Sequence, residues 1–254
     1  MYFDAHAHLD DDKFWGELPQ VVDRIRSAGV TAVVNAGCDL PSSVAGLVLA
    51  NTYPWCYATV GLHPHVASEW NEETCRILKV LSQDPRCVAI GEIGLDYHYD
   101  FSPREVQKEV FERQLELAHE LRLPVVLHLR EAFGDATEIL SRRRDLLTDG
   151  VLVHCYSGSV ELARDFFNKL DAYYSFGGAL TFAKNKGEVL SAIPQDRILL
   201  ETDAPYMTPV PYRGKRNDPS LLPLTAAKMA ELMELTVEEV ADLTFRNAKR
   251  LYRL

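Results

Sequence analysis

The strongest constraint on this chain is a rhythm in which short apolar runs alternate with amphipathic stretches from one end to the other. Runs at 1–5, 30–36, 55–60, 87–90, 123–127, 151–153, 172–176 and 197–200 read as strands. Between them, 17–28, 40–51, 72–82, 132–144, 160–168 and 186–192 read as helices, and 224–233 and 237–252 close the chain as two more. A further helix opens near Pro103, with Val106, Val110, Leu117 and Leu121 at helical spacing. Strands buried on both faces are continuously apolar, and alternation with helices predicts parallel pairing. Eight such units in 254 residues predict an α/β protein of the (β/α)8 TIM-barrel class, with a doubly wound open sheet as the alternative. No composition break, linker, low-complexity tract or repeat interrupts the sequence, which predicts one domain over 1–254.

In either architecture, functional side chains gather just past the carboxyl ends of strands. Six of the eight histidines lie there: His6, His8, His63, His65, His128 and His154. His6 and His8 close the first run, and alternate residues of a strand project to the same face, so the pair makes half a metal site. The other reading is two buried histidines satisfied by hydrogen bonds. Glu92 follows the fourth run between Gly91 and Gly94, where a carboxylate is costly to bury without a cation. A solvated loop glutamate is its alternative. His128 ends the fifth run, with Arg130 on the same face, and His154 ends the sixth. Cys155, as the adjacent strand position, points away from His154 and stays outside the site. Asp203 closes the eighth run and can both ligate a metal and take a proton from its water. Glu201 shares that face and is read as the partner of a neighbouring side chain or cation. Imidazole and carboxylate donors suit zinc, manganese, iron or nickel, and more carboxylate favours magnesium. Six candidate ligands, all at strand ends, are hard to obtain from unconnected structural causes.

A net charge of −10 argues against gripping nucleic acid by broad attraction, but not against an enzyme acting on phosphates. Five cysteines without CxxC spacing suggest reduced thiols and a cytoplasmic protein. No secretory leader is visible and no apolar run is long enough to span a bilayer, so neither a membrane nor an obligate protein partner is expected.

Several blocks, in order, resemble the TatD family of metal-dependent hydrolases, deoxyribonucleases of the amidohydrolase superfamily of TIM barrels. They are His6-Ala7-His8, Gly61-Leu62-His63-Pro64-His65, Gly91-Glu92-Ile93-Gly94-Leu95-Asp96-Tyr97, His154-Cys155-Tyr156-Ser157-Gly158, Glu201-Thr202-Asp203-Ala204-Pro205 and Arg213-Gly214-Lys215-Arg216-Asn217. Tyr156 stands where phenylalanine is frequent and Asp218 where glutamate is frequent. The resemblance implies two divalent ions, magnesium or manganese in use with zinc possible. His6, His8 and Asp203 would hold one and His128 and His154 the other, with Glu92 bridging. It also implies cleavage of DNA phosphodiesters, as a 3′–5′ exodeoxyribonuclease acting on single-stranded ends, with Asp203 and Glu92 in the catalytic roles. An amide, lactone or small phosphoester hydrolysed at the same binuclear site is the competing reading. His63 and His65 are expected at a substrate phosphate, as are Arg130 and the basic run Arg213, Lys215 and Arg216, through the geometry by which arginine grips phosphate. The run Arg142-Arg143-Arg144 is explained by the helix dipole. Tyr97 and Tyr206 are expected to pack rather than stack on a base.

Overall fold

The computed structural model describes residues 1–254. Its strands are β1 (Tyr2–Ala7), β2 (Val30–Asn35), β3 (Cys56–Val60), β4 (Cys87–Asp96), β5 (Val125–Arg130), β6 (Val151–Val153), β7 (Tyr173–Phe176) and β8 (Ile198–Leu200). The α-helices are α1 (Leu18–Ser27), α2 (Leu40–Thr52), α3 (Glu72–Leu81), α4 (Arg104–Leu121), α5 (Phe133–Arg142), α6 (Val160–Leu170), α7 (Lys186–Ala192), α8 (Leu222–Met233) and α9 (Val237–Tyr252). The strands follow one another in the sheet in chain order, β1 to β8, and pair in parallel, with Val125 opposite Val151 and Tyr174 opposite Ile198. This is the (β/α)8 TIM-barrel class that the alternation predicts. No helix is long and apolar enough to cross a membrane.

Three strands run further than their apolar stretches, the first being β1, which ends at Ala7 rather than at residue 5. β4 continues to Asp96 rather than stopping at Ile90, and β5 ends at Arg130 rather than Leu127. The backbone ladder needs no apolar side chain, and it carries on through Gly94 opposite His128 and Asp96 opposite Arg130. Glu92 and His128 therefore sit inside strands, not just beyond them.

Contacts divide the chain into two compact units. One comprises Met1–Asn35, Cys155–Asp165 and Tyr173–Leu254, and carries β7, β8, β1 and β2. Its core centres on Phe3, whose ring meets Phe245 edge-on and stacks with Tyr252, while the Tyr252 hydroxyl donates to the Ala5 carbonyl. Helix α9 starts with a capping box between Thr236 and Glu239, so its amphipathic face is fixed from the first turn. The residues after β8 are tied to β1: the Thr202 and Asp203 N–H groups donate to Asp4 Oδ1 and the His6 carbonyl.

The other unit, Ala36–His154 with Phe166–Ala172, carries β3 to β6. Two buried glutamines of α4 hold its loops. Gln114 accepts from the Leu62 N–H at 2.7 Å and donates to the Leu62 carbonyl at 2.9 Å. Gln107 does the same at Asp96 and also donates to the Ser102 carbonyl. A buried amide left unpaired costs about 1–3 kcal/mol. These pairs therefore resist displacement of the segments carrying His63, His65 and Asp96.

Candidate metal centre

In the first unit, β1 ends with His6 inside the strand and His8 just after it, and the turn after β8 brings Asp203 to them. His6 Nε2 and His8 Nε2 are 3.3 Å apart, and Asp203 Oδ1 lies 3.8 Å from the former and 3.4 Å from the latter. Asp203 holds φ at +54°, a left-handed conformation that aspartate tolerates better than most residues. Asn217 fixes the same turn by donating to the Thr202 and Tyr206 carbonyls. Asp4 is fully buried and accepts from the Thr202 and His6 N–H groups and the Thr202 hydroxyl. Burial pushes its carboxyl up to about 8 against those hydrogen bonds. Glu201, equally buried, accepts from the Ser175 hydroxyl at 2.5 Å, the neighbouring-side-chain role expected for it.

In the second unit, one carboxylate oxygen gathers three imidazoles. Glu92 Oε1 lies 2.7 Å from His128 Nδ1, 2.8 Å from His154 Nε2 and 3.7 Å from His63 Nε2. His128 turns its other nitrogen to Asp96 Oδ2 at 3.0 Å, and His65 Nε2 reaches the same oxygen at 3.0 Å. Asp96 Oδ1 accepts from the His98 and Tyr99 N–H groups. Burial alone would raise the Asp96 carboxyl, but the hydrogen bonds from His128, Tyr99 and His65 outweigh it and hold it well below the usual range. Desolvation would lower the half-buried His128, but the two carboxylates on either side of its ring outweigh that and raise it. His63 is lowered, by burial first and then by repulsion from His128.

The donor chemistry of each unit fits a divalent cation. His6, His8 and Asp203 offer two nitrogens and an oxygen within 4.8 Å of one another, as do His63, Glu92 and His128. Borderline cations take this mixture of imidazole and carboxylate. The carboxylate behind His128 is the arrangement that fixes the tautomer and orientation of a metal-binding histidine.

The other residues expected at a substrate lie as follows. Arg130 is exposed, with its guanidinium 4.9 Å from the Tyr99 ring centroid. Arg213 lies over the Phe182 ring at 3.9 Å and Lys215 over Tyr212 at 5.6 Å, all at the surface. Arg216 is engaged elsewhere: it donates to Glu17 and to the Lys13 carbonyl and covers the Phe14 ring. Tyr97 donates to Asp135 beneath the Arg104 guanidinium, and Tyr206 donates to Asp11. Three residues escaped the sequence reading. Cys38 Sγ lies 3.7 Å from Glu92 Oε2, and nothing in the sequence marks a lone cysteine for such a position. Asp4 was hidden inside an apolar run. Asp96 was recoverable, because it stands four residues after Glu92 and a strand puts i and i+4 on one face.

Comparison with known proteins agrees with this chemistry. Residues 3–253 match the family model described as TatD related DNase. The chain is 44% identical to the uncharacterized metal-dependent hydrolase YabD of Bacillus subtilis (strain 168), with all of both chains covered. It is 37% identical to the 3′–5′ ssDNA/RNA exonuclease TatD of Edwardsiella piscicida, over 99% of each. Among solved structures, the TatD homologue YJJV of Escherichia coli k12 superposes with a TM-score of 0.92 at 30% identity, covering 100% of this chain and 98% of that one. With a histidine-and-carboxylate cluster built in each unit and a family match over nearly every residue, the chain belongs to the TatD-related DNase family of metal-dependent hydrolases.

Proposed function

We propose that the protein is a 3′–5′ exodeoxyribonuclease that removes nucleotides from single-stranded DNA ends with two divalent cations, magnesium or manganese. The observation that carries this reading is Glu92 Oε1, set between His128 at 2.7 Å and His154 at 2.8 Å in a buried position. The relative of Edwardsiella piscicida named as an ssDNA/RNA exonuclease supports the substrate class. Glu92, His128 and His154 would hold one cation, and His6, His8 and Asp203 the other. Cations so placed supply a water of lowered pKa and neutralise the charge that builds on a phosphoryl group. Asp203 takes the proton of the attacking water through Oδ1, and its turn is held by the Asn217 amide. His63 and His65 orient the phosphate, and Arg130, Arg213 and Lys215 are the cations that guide the strand. Arg216 was expected with them, but its bonds to Glu17 and Lys13 give it the task of holding the basic loop. Five cysteines without CxxC spacing suit a reducing compartment, and we assign the protein to the cytoplasm, with residues 1–254 acting as one domain.

The test is a chelator-stripped protein reloaded with magnesium, manganese or zinc and given 3′- or 5′-labelled single-stranded oligonucleotides beside lactone and amide panels. Mononucleotides should leave the 3′ end first, and the stripped protein should be inert. A reloaded protein that opens a lactone or amide but leaves every oligonucleotide intact would overturn the reading.

Asp96 gives a second expected result. As a carboxylate it obliges His128 to carry its proton on Nε2, leaving Nδ1 as the donor towards a cation. Asp96→Asn keeps the acceptor for the His98 and Tyr99 N–H groups but turns an amide N–H towards His128. The ring must then shift its proton to Nδ1. Metal affinity should fall roughly 10- to 100-fold, the range for lost outer-shell partners, with thermal stability little changed. Calorimetric metal titration measures it, and an unaltered affinity would remove Asp96 from this role.

A further inference from the structure

Beside the second-unit cluster lies an aromatic surface that the chemistry above does not use. Phe101 is 69% exposed and Tyr99 48%. Their rings stack with centroids 5.2 Å apart and an interplanar angle of 18°, and His65 meets both edge-on, at 5.3 Å from Tyr99 and 4.8 Å from Phe101. Large apolar rings held in water usually mark a surface that something else covers.

Looseness does not explain the exposure, because the segment is tied down. The Tyr99 N–H donates to Asp96, Ser102 donates to the His65 carbonyl and accepts from the Ser68 N–H, and Gln107 donates to the Ser102 carbonyl. The rings are presented on a fixed loop. Arg130 adds the second observation. Its guanidinium lies over Tyr99, and no carboxylate pairs with it, although the chain carries 37 acidic residues against 27 lysines and arginines. An open aromatic face beside an unpaired arginine matches a nucleotide, with the base on the ring and the phosphate at the guanidinium. The platform also has a direct line to the cluster, through His65 to Asp96 and from Asp96 to His128, each step 3.0 Å.

We propose that Tyr99 and Phe101 form a base-stacking platform, with Arg130 as its phosphate partner, that holds an unpaired nucleobase next to the reacting phosphodiester and so selects single-stranded ends. This rests on the nuclease reading above and specifies where that substrate is gripped. A base still paired in a duplex has its faces covered by its neighbours and cannot lie on the ring.

The experiment compares the metal-loaded wild type with Phe101→Ala, Tyr99→Ala and Phe101→Trp. Each is given a single-stranded oligonucleotide and the same strand with its terminal bases removed. Binding of a non-hydrolysable phosphorothioate strand is followed by fluorescence anisotropy as a readout independent of turnover. The alanine variants should raise KM and weaken binding about 10- to 100-fold, the range for loss of one stacked base, with kcat within about twofold. Phe101→Trp should restore both, and the base-free strand should not distinguish the variants. The platform is overturned, with the nuclease reading intact, if the wild type degrades DNA and the alanine variants bind it equally well. It is also overturned if base-free and ordinary strands lose turnover alike, which would mean the rings only buttress His65. A change in self-association with unchanged DNA binding would make the rings a protein contact and overturn it as well. A wild type that neither binds nor cleaves DNA would sink both readings.

Discussion

Glu92→Gln will leave a folded protein that has lost its turnover by about a thousandfold or more. The substitution changes no volume, so the packing around this buried side chain survives. What goes is the charge and the acceptor pattern. Oε1 lies 2.7 Å from His128, 2.8 Å from His154 and 3.7 Å from His63, and an amide offers either a neutral oxygen or an N–H to rings arranged around an anion. A cation held there loses its carboxylate, and the several kcal/mol of charge stabilisation that metal ions supply convert to at least three decades in rate. The melting temperature of the stripped variant should fall rather than rise, because the imidazoles around Oε1 lose the buried charge they face. Metal content per chain, together with kcat on a labelled oligonucleotide, checks the result. Turnover within tenfold of wild type would mean that Glu92 is structural and that the metal chemistry lies elsewhere.

The contrast between Glu92 and Asp96 shows how far the sequence could be read. The eight apolar runs were legible because parallel strands are buried on both faces, so their composition betrays them without any alternation. His6, His8, His128, His154 and Asp203 were legible because each interrupts or ends such a run with a side chain that has no reason to be buried alone. Asp96 was not found by that route, since the apolar run stops at Ile90 while the strand goes on to Asp96. Pairing, not hydrophobicity, sets where a strand ends. Cys38 and Arg216 were opaque for a different reason. One is brought to Glu92 and the other to Glu17 by folding between distant segments, and neither spacing nor charge pattern records such meetings. Phe101 was hidden by the ordinary expectation that an aromatic residue is core, which its exposure reverses.

Gly94→Ala should be the most damaging small substitution in the second unit. The residue stands between Glu92 and Asp96 on β4, directly opposite His128 on β5. Its φ of +142° lies where side chains are rarely accommodated, and a Cβ built there would fall 2.1 Å from the His128 carbonyl oxygen. The obstacle is backbone, so no rotamer change relieves it. Either β4 retreats from β5 or the His128 peptide moves, and both carry the ring away from Glu92. Backbone strain and overpacking each cost about 1–3 kcal/mol, which makes a combined loss of roughly 4 kcal/mol. For a chain of this size that is a fall in melting temperature of roughly 10 °C. Activity should fall further than stability predicts, because displacement of a site group by about 1 Å costs roughly a hundredfold in rate. Gly134→Ala is the control. That glycine has an ordinary φ, an added Cβ meets nothing within 4 Å, and it lies in the first turn of α5, so alanine there should be neutral or stabilising by up to about 1 kcal/mol. Circular-dichroism melts and kcat on the two variants decide the matter. Equal melting temperatures would mean that β4 and β5 have slack at His128, and the tight placement of that ring between Glu92 and Asp96 would no longer explain its role.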